Sequence, residues 1–342
     1  MTNRLLPTLT GAAMLAATLV GATAFAAEKL PVRFTLDWKI QGVHAPFYLA
    51  QQRGYFADNG LDVTIDQGEG SAATVSRVLS GTYDAGFGDM NAIIQTAAKT
   101  PDTAPVMVYQ IYNQPPFAVL TKADSPIQSV ADFPGHTFGG PAGSAATKLF
   151  PAMLDASDIN ADSVHITNVA PQLQEQLLNR GDVDASLVFN VTSYMNLVSQ
   201  GKDPDADYRW FAYGDNGLNI YSNGVMVSQA MIADHPGAVE GLVTAINHAM
   251  QAIIADPQAG IDAVKAREAF IDASAERKRL DFAMTRLIVS DESRAIGIGD
   301  VDKQRLSKSI DTIVDLYDLE RTPSADQVFT DRFLPPRDQR LP

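Results

Sequence analysis

The pentapeptide Gly-Ser-Ala-Ala-Thr occurs twice, at 70–74 and 143–147, and each copy opens a stretch with apolar residues at helical spacing. A second pattern, Gly-x-x-Asp-Ala, also recurs, at 81–85 and 181–185, after each of these helical stretches and before an apolar strand. Each half therefore reads strand, glycine turn, helix, Gly-x-x-Asp-Ala, strand. Strands alternating with helices predict mainly parallel sheets covered by helices, so the chain is expected to be α/β and to form two related lobes. The repeated glycine should close its helix in a left-handed cap. The repeated pentapeptide should bring unpaired backbone N–H groups and small hydroxyls to the carboxyl end of a strand, where α/β proteins bind ligands.

Residues 1–26 have the layout of a secretory signal peptide. Arg4 supplies the charged start, 5–20 is leucine- and alanine-rich, and Ala24-Phe25-Ala26 offers small residues at the cleavage positions. The apolar stretch is broken by Gly11 and Gly21, which disfavours a membrane anchor. No cysteine occurs, which excludes disulfides, lipidation after the signal, thiolate nucleophiles and cysteine-held metals. A formal net charge of −14 disfavours nucleic acid as a partner. The expectation is a periplasmic, unlipidated monomer.

Residues 32–36 and 61–65 alternate as half-buried strands, and 106–112 and 117–120 read as two further strands separated at Gln114-Pro115-Pro116. The stretch 219–227 reads as a strand returning to the first lobe, and from there to Asp318 the pattern is helical, with Pro236 at a helix start and a break at Asp256-Pro257. This gives lobe 1 as 27–117 plus 225–322 and lobe 2 as 118–224. The proline-rich segment 323–342 is expected to be an extended tail on the surface. Two crossings between lobes place a hinge beneath a cleft.

Candidate ligand-binding residues lie at strand ends and helix starts. Asp37 and Trp38 follow the first strand, where an indole could stack on a ring or pack as a core residue. His44 could bond a ring nitrogen or cap the helix before Pro46, and no second ligand at helical spacing accompanies it to bind a metal. Ser71, Ser144 and Thr147 in the two pentapeptides could donate to a ligand or cap their helices. Asp89 and Asn91 follow one strand and Asn190 the equivalent strand of the other half. Tyr221 and Asn223 stand at the return crossing.

Leu36-Asp37-Trp38, the run His44-Ala45-Pro46-Phe47-Tyr48-Leu49-Ala50, Gly54-Tyr55-Phe56 and Gly60-Leu61-Asp62-Val63 make the chain resemble a known family. It is similar to the periplasmic solute-binding proteins of ABC importers that handle thiamine pyrimidine precursors, taurine, alkanesulfonates and nitrate. The Asp-Trp and His-Ala-Pro most resemble the thiamine-precursor branch. The resemblance implies a type II periplasmic-binding-protein fold with a small-molecule ligand between two lobes, a membrane permease as partner, and no cofactor. Taurine-type anions are the alternative ligand.

The same branch contains a fungal thiamine pyrimidine synthase that uses a lysine carrying pyridoxal phosphate, a nearby histidine and a cysteine-rich segment. Matched on Gly81-x-x-Asp84, those positions are Gly88, Ala92 and the cysteine-free stretch 217–223. Without that amine no Schiff base can form, which favours a receptor over an enzyme.

Overall fold

The structure is a computed structural model and describes residues 1–2 and 28–342. The segment read as a signal peptide falls outside them, apart from Met1 and Thr2. The strands, in chain order, are β1 (Leu30–Thr35), β2 (Leu61–Asp66), β3 (Ala85–Asp89), β4 (Val106–Gln110), β5 (Phe117–Lys122), β6 (Thr137–Gly140), β7 (His165–Asn168), β8 (Ala185–Phe189), β9 (Tyr208–Ala212) and β10 (Asn223–Val227).

They form two five-stranded sheets, ordered β2-β1-β3-β10-β4 and β7-β6-β8-β5-β9. In each sheet three neighbouring strands run parallel and the fourth is antiparallel. The antiparallel strand is in both cases the first one reached after the chain crosses from the other sheet. The crossings are residues 111–116 and 213–222. The first sheet is thus discontinuous in sequence, and Phe117 and Asn223 are the first residues of the strands that follow the crossings.

The repeat has a structural meaning that its sequence only hinted at. Gly81 and Gly181 lie in the left-handed region with φ of 71° and 79°, which turns the chain out of the preceding helix. Asp84 then accepts from the Arg33 backbone N–H at 2.8 Å through Oδ2, while its own N–H donates to the Arg33 carbonyl at 2.9 Å. In the second sheet Asp184 bonds the Thr137 N–H at 2.8 Å and the Thr137 carbonyl at 2.9 Å. Each aspartate fastens the start of a central strand to its parallel neighbour. The register that results is the same in both sheets, with Phe34 opposite Ala85 and Phe138 opposite Ala185.

Burial follows position in the sheet. β1 keeps Val32 and Phe34 inside and Pro31 and Arg33 outside, whereas the central β3 and β10 are buried along their whole length. The helix Pro236–Ala255 packs Val239, Leu242, Val243, Ile246 and Met250 against the first sheet, all fully buried. Three expectations require correction. The two pentapeptides are not equivalent: the first follows β2, whereas the second follows β6, the counterpart of β1, and its helix Ala145–Ala156 is separated from Gly181 by β7 and the helix Gln174–Arg180. Residues 165–168 and 208–212 form edge strands where none was foreseen. The segment 323–342 is not an extended surface tail: it contains the helix Ala325–Val328, and Phe329, Phe333 and Arg340 are buried. Phe329 bridges to Met107 of β4, and Arg340 is held by the carbonyls of Pro335 and Ile298 and by Asp300. Its apolar side chains complete the core beside β4, which outweighs the extended preference of its prolines.

Candidate functional site

A cavity of about 990 Å³ lies between the carboxyl ends of the two sheets. From the first lobe it is lined by Asp37, Trp38, His44, Ser71, Asp89, Asn91 and Tyr112, and from the second by Ser144, Asn168, Glu175, Phe189 and Thr192.

The most ordered part is centred on Asp37. The His44 Nδ1 accepts the Gln41 N–H at 3.1 Å, so the ring proton sits on Nε2 and is donated to Asp37 Oδ1 at 2.8 Å. The other carboxylate oxygen accepts from Asn223 Nδ2 at 2.7 Å. Two side chains from different segments thus fix the carboxylate at the cavity wall, and each oxygen keeps lone-pair capacity for a ligand donor. His44 and Asn223 are both fully buried and hold Asp37 in place through these bonds. The Trp38 ring is half-buried, lines the cavity and stacks on no aromatic side chain among the described residues. No aromatic side chain among the described residues competes with a planar ligand for the indole.

Asp89 ends β3 and is 1% exposed. Its Oδ1 accepts from the Asn91 backbone N–H at 3.0 Å and from Asn91 Nδ2 at 2.7 Å. Burial pushes this carboxyl up to about 7, with the Asp37 charge adding to the rise and the Asn91 bonds opposing it. Asn91 also donates to the Tyr221 carbonyl at 2.9 Å, and its own Oδ1 is buried without a partner. Burial, helped by the Asp37 charge, also raises the Tyr112 hydroxyl well above its ordinary value.

The pentapeptides supply opposite rims. Gly70 and Ser144 occupy the N-cap positions of the helices Ser71–Leu79 and Ala145–Ala156, and no side chain caps either helix. Ser71 and Ser144 line the cavity at these helix starts, beside backbone N–H groups free of the helical ladder. The closing threonines turn away from it. Thr74 Oγ1 donates to the Leu36 carbonyl at 3.0 Å, and Thr147 packs against Gly140 at the end of β6 with its hydroxyl buried. Glu69, beside the first turn, pairs with Arg77 at 3.4 Å.

Of the sequence-predicted residues, Asp37, Trp38, His44, Ser71, Asp89, Asn91 and Ser144 converge on the cavity, whereas Thr147, Asn190, Tyr221 and Asn223 do not line it. Asn190 accepts the Val191 N–H at the start of its own helix. Tyr221 serves the hinge: its hydroxyl donates to Glu292 and accepts the Asp302 N–H at 2.7 Å, and the Arg305 guanidinium lies 4.0 Å over its ring. Sequence reasoning missed Tyr112, Glu175, Phe189 and Tyr317, which also line the cavity. Tyr112 and Phe189 end apolar stretches and carried a weak signal, whereas Tyr317 comes from the end of a distant helix and carried none.

The NMT1/THI5-like family model matches residues 41–260. The chain belongs to this family. A riboflavin-binding protein of Chloroflexus aurantiacus is 23% identical over 224 residues, covering 64% of this chain and 61% of the relative. A formylaminopyrimidine-binding protein of Halalkalibacterium halodurans is 26% identical over 209 residues, 61% of each chain. The match therefore spans about three-fifths of the length of these two relatives. A 4-amino-5-hydroxymethyl-2-methylpyrimidine phosphate synthase of Schizosaccharomyces pombe is 24% identical over 238 residues, 66% of each chain. Among solved structures, the aliphatic sulphonate binding protein of Escherichia coli superposes with a TM-score of 0.69 at 16% identity, covering 87% of this chain and 96% of that one. The NMT1/THI5-like chain thus has the two-lobed fold of periplasmic binding proteins.

Proposed function

We propose that this protein is the extracytoplasmic solute receptor of an ABC importer and holds a small heteroaromatic molecule of the aminopyrimidine type between its lobes. One observation carries the reading: an unstacked indole, Trp38, stands next to a carboxylate, Asp37, whose two oxygens are fixed by His44 and Asn223. A stacking face beside an oriented acceptor suits a flat ring bearing an N–H donor. The cavity is lined by four carboxyl groups, Asp37, Glu69, Asp89 and Glu175, against two lysines, Lys99 and Lys148, which makes it a poor host for a sulfonate. The positions that the resemblance to the synthases implies for their lysine and histidine are Gly88 and Ala92 in this chain, which supports binding without turnover.

The test is a fluorescence and calorimetric titration with 4-amino-5-hydroxymethyl-2-methylpyrimidine and with taurine. The sequence has two tryptophans, and the second, Trp210, bonds the Pro204 carbonyl at 2.9 Å and does not line the cavity. Quenching by the pyrimidine should therefore vanish in Trp38→Phe if the ring stacks on the indole. Trp38→Ala should weaken pyrimidine binding about tenfold or more. Tight taurine binding with no binding of any flat nitrogen heterocycle would overturn the proposal.

A further inference from the structure

The cavity holds a second carboxyl group that the Trp38 and Asp37 arrangement does not use. Asp89 Oδ1 is saturated by the two Asn91 donors, while Oδ2 has no hydrogen-bond partner among the described residues, although the side chain is almost wholly buried and lines the cavity. Asp89 and Asp37 sit at one level of the sheet, because Asn223 is the register partner of Asp89 in β10 and donates its amide to Asp37. Asn223 thus joins two carboxyl groups with different surroundings. Asp37 receives two side-chain donors on two oxygens; Asp89 receives both of its donors on one.

We propose that Asp89 is the specificity-determining residue of this site, carrying a single proton on Oδ2 that it shares with an acceptor atom of the ligand while Asp37 takes a ligand N–H. The site would then select molecules that present a donor and a ring-nitrogen or carbonyl acceptor on one edge, as 4-aminopyrimidines and cyclic amides do. This rests on the receptor reading above and names the class of ligand that it takes.

The surroundings agree. Burial favours the protonated form of Asp89, and Asp37 disfavours a second negative charge beside it. The other charged and titratable groups on the cavity wall are Tyr112, Tyr317, Lys99, Lys148 and Glu175. Tyr317 is itself raised to about 12, by burial first and then by the Asp89 charge. None of the five hydrogen-bonds Asp89, and neither lysine forms a salt bridge with it among the described residues. Glu69 is turned toward Arg77 and His44 toward Asp37. Only a ligand atom or water can therefore complete Oδ2.

The proton can be read without any ligand. In the ligand-free protein with labelled aspartate, carbon NMR should show one carboxyl resonance titrating near neutral pH that disappears in Asp89→Asn. If the resonance lost in Asp89→Asn titrates instead in the ordinary carboxylate range, the proposal is overturned, whatever the protein binds. The second measurement is calorimetry with 4-amino-2-methylpyrimidine and with the pyridine analogue in which the ring nitrogen ortho to the amine is replaced by C–H. Wild-type affinity for the pyrimidine should be level while free Asp89 keeps its proton and fall about tenfold per pH unit above the point, near neutrality, at which the free carboxyl ionises, because each binding event then takes up one proton. Asp89→Asn, whose amide donates at every pH, should bind with no such fall, and the pyridine should bind at least tenfold more weakly than the pyrimidine in both proteins. Affinity that rises with pH, or an Asp89→Asn profile parallel to wild type, would refute the shared proton. If neither heterocycle binds while the carboxyl titrates near neutral, the aminopyrimidine reading fails and the protonated Asp89 stands.

Discussion

Arg305, in the helix Lys303–Leu316, grips both strands of the hinge. Its Nη2 donates to the carbonyls of Asn113 at 2.6 Å and Ile220 at 3.0 Å, one on each crossing. Its Nη1 reaches Glu292 at 3.1 Å, and the guanidinium plane covers Tyr221. With Arg305 and Glu292 side chains 10% and 22% exposed, the pair is partly shielded from water. Arg305→Ala removes one partner of a partly buried charged network, leaving two carbonyls and a carboxylate to find other donors. Such losses cost about 3–5 kcal/mol when fully buried, and the remaining exposure of Glu292 places this one near 3 kcal/mol. With an unfolding entropy of ~2 cal/mol/K per residue, a chain of this size should lose roughly 5 °C of melting temperature. Calorimetry of Arg305→Ala against Arg305→Lys measures this; lysine keeps the charge but cannot serve both crossings at once, so it should recover only part of the loss. A cost below about 1 kcal/mol in Arg305→Ala would show that the crossings are held by other contacts and would refute the clamp.

Two further outcomes follow from the geometry. Asp184→Ala should cost about 1–2 kcal/mol by freeing the Thr137 N–H, and Asp84→Ala should cost somewhat more because Arg33 also loses its side-chain partner at 2.8 Å; urea midpoints compare the two, and unequal structural roles would appear as a large loss in one only. Because the folded-state value of Asp89 is raised, to about 7, its protonated form favours the fold at low pH, and that contribution is lost as pH rises from the ordinary carboxylate range through neutrality. At ~1.4 kcal/mol per unit the loss is at most about 4 kcal/mol, so Asp89→Asn should gain on wild type between pH 4 and pH 8 in urea denaturation; a pH-independent difference would refute the assignment.

Much of the fold was written locally. The alternation in 32–36 and 61–65, the positive-φ glycines of the repeat and the proline at the start of the long helix each act through neighbours in sequence, and each element formed where expected. The edge strand Tyr208–Ala212 was missed because its pattern, with Arg209 and Trp210 half-buried, depends on pairing with β5. The tail was misread for the opposite reason: its prolines are a local signal, while the burial of Phe329 and Phe333 is a property of the core they meet. In the site, Asp37, Trp38 and His44 could be found because they stand together just after a strand. Asn223 and Tyr221 were legible as polar residues at a crossing, but only the three-dimensional arrangement shows that one orients Asp37 and the other braces the hinge. Thr147 was misplaced because its helix carries it a turn deeper than Ser144, ~4.5 Å along the axis, below the rim.

The interleaving of β10 between β3 and β4 bears on the order in which the molecule assembles. All five strands of the second sheet are contiguous in sequence, so that lobe can pair completely while the first still lacks its central antiparallel strand. The first sheet closes only when the chain returns from the other lobe, and its core is finished later still by Phe329 and Phe333. Long-range pairing of this kind is slow to form. Refolding should accordingly proceed in two phases, with the pocket wall around Asp37 and Asn223 acquired in the second.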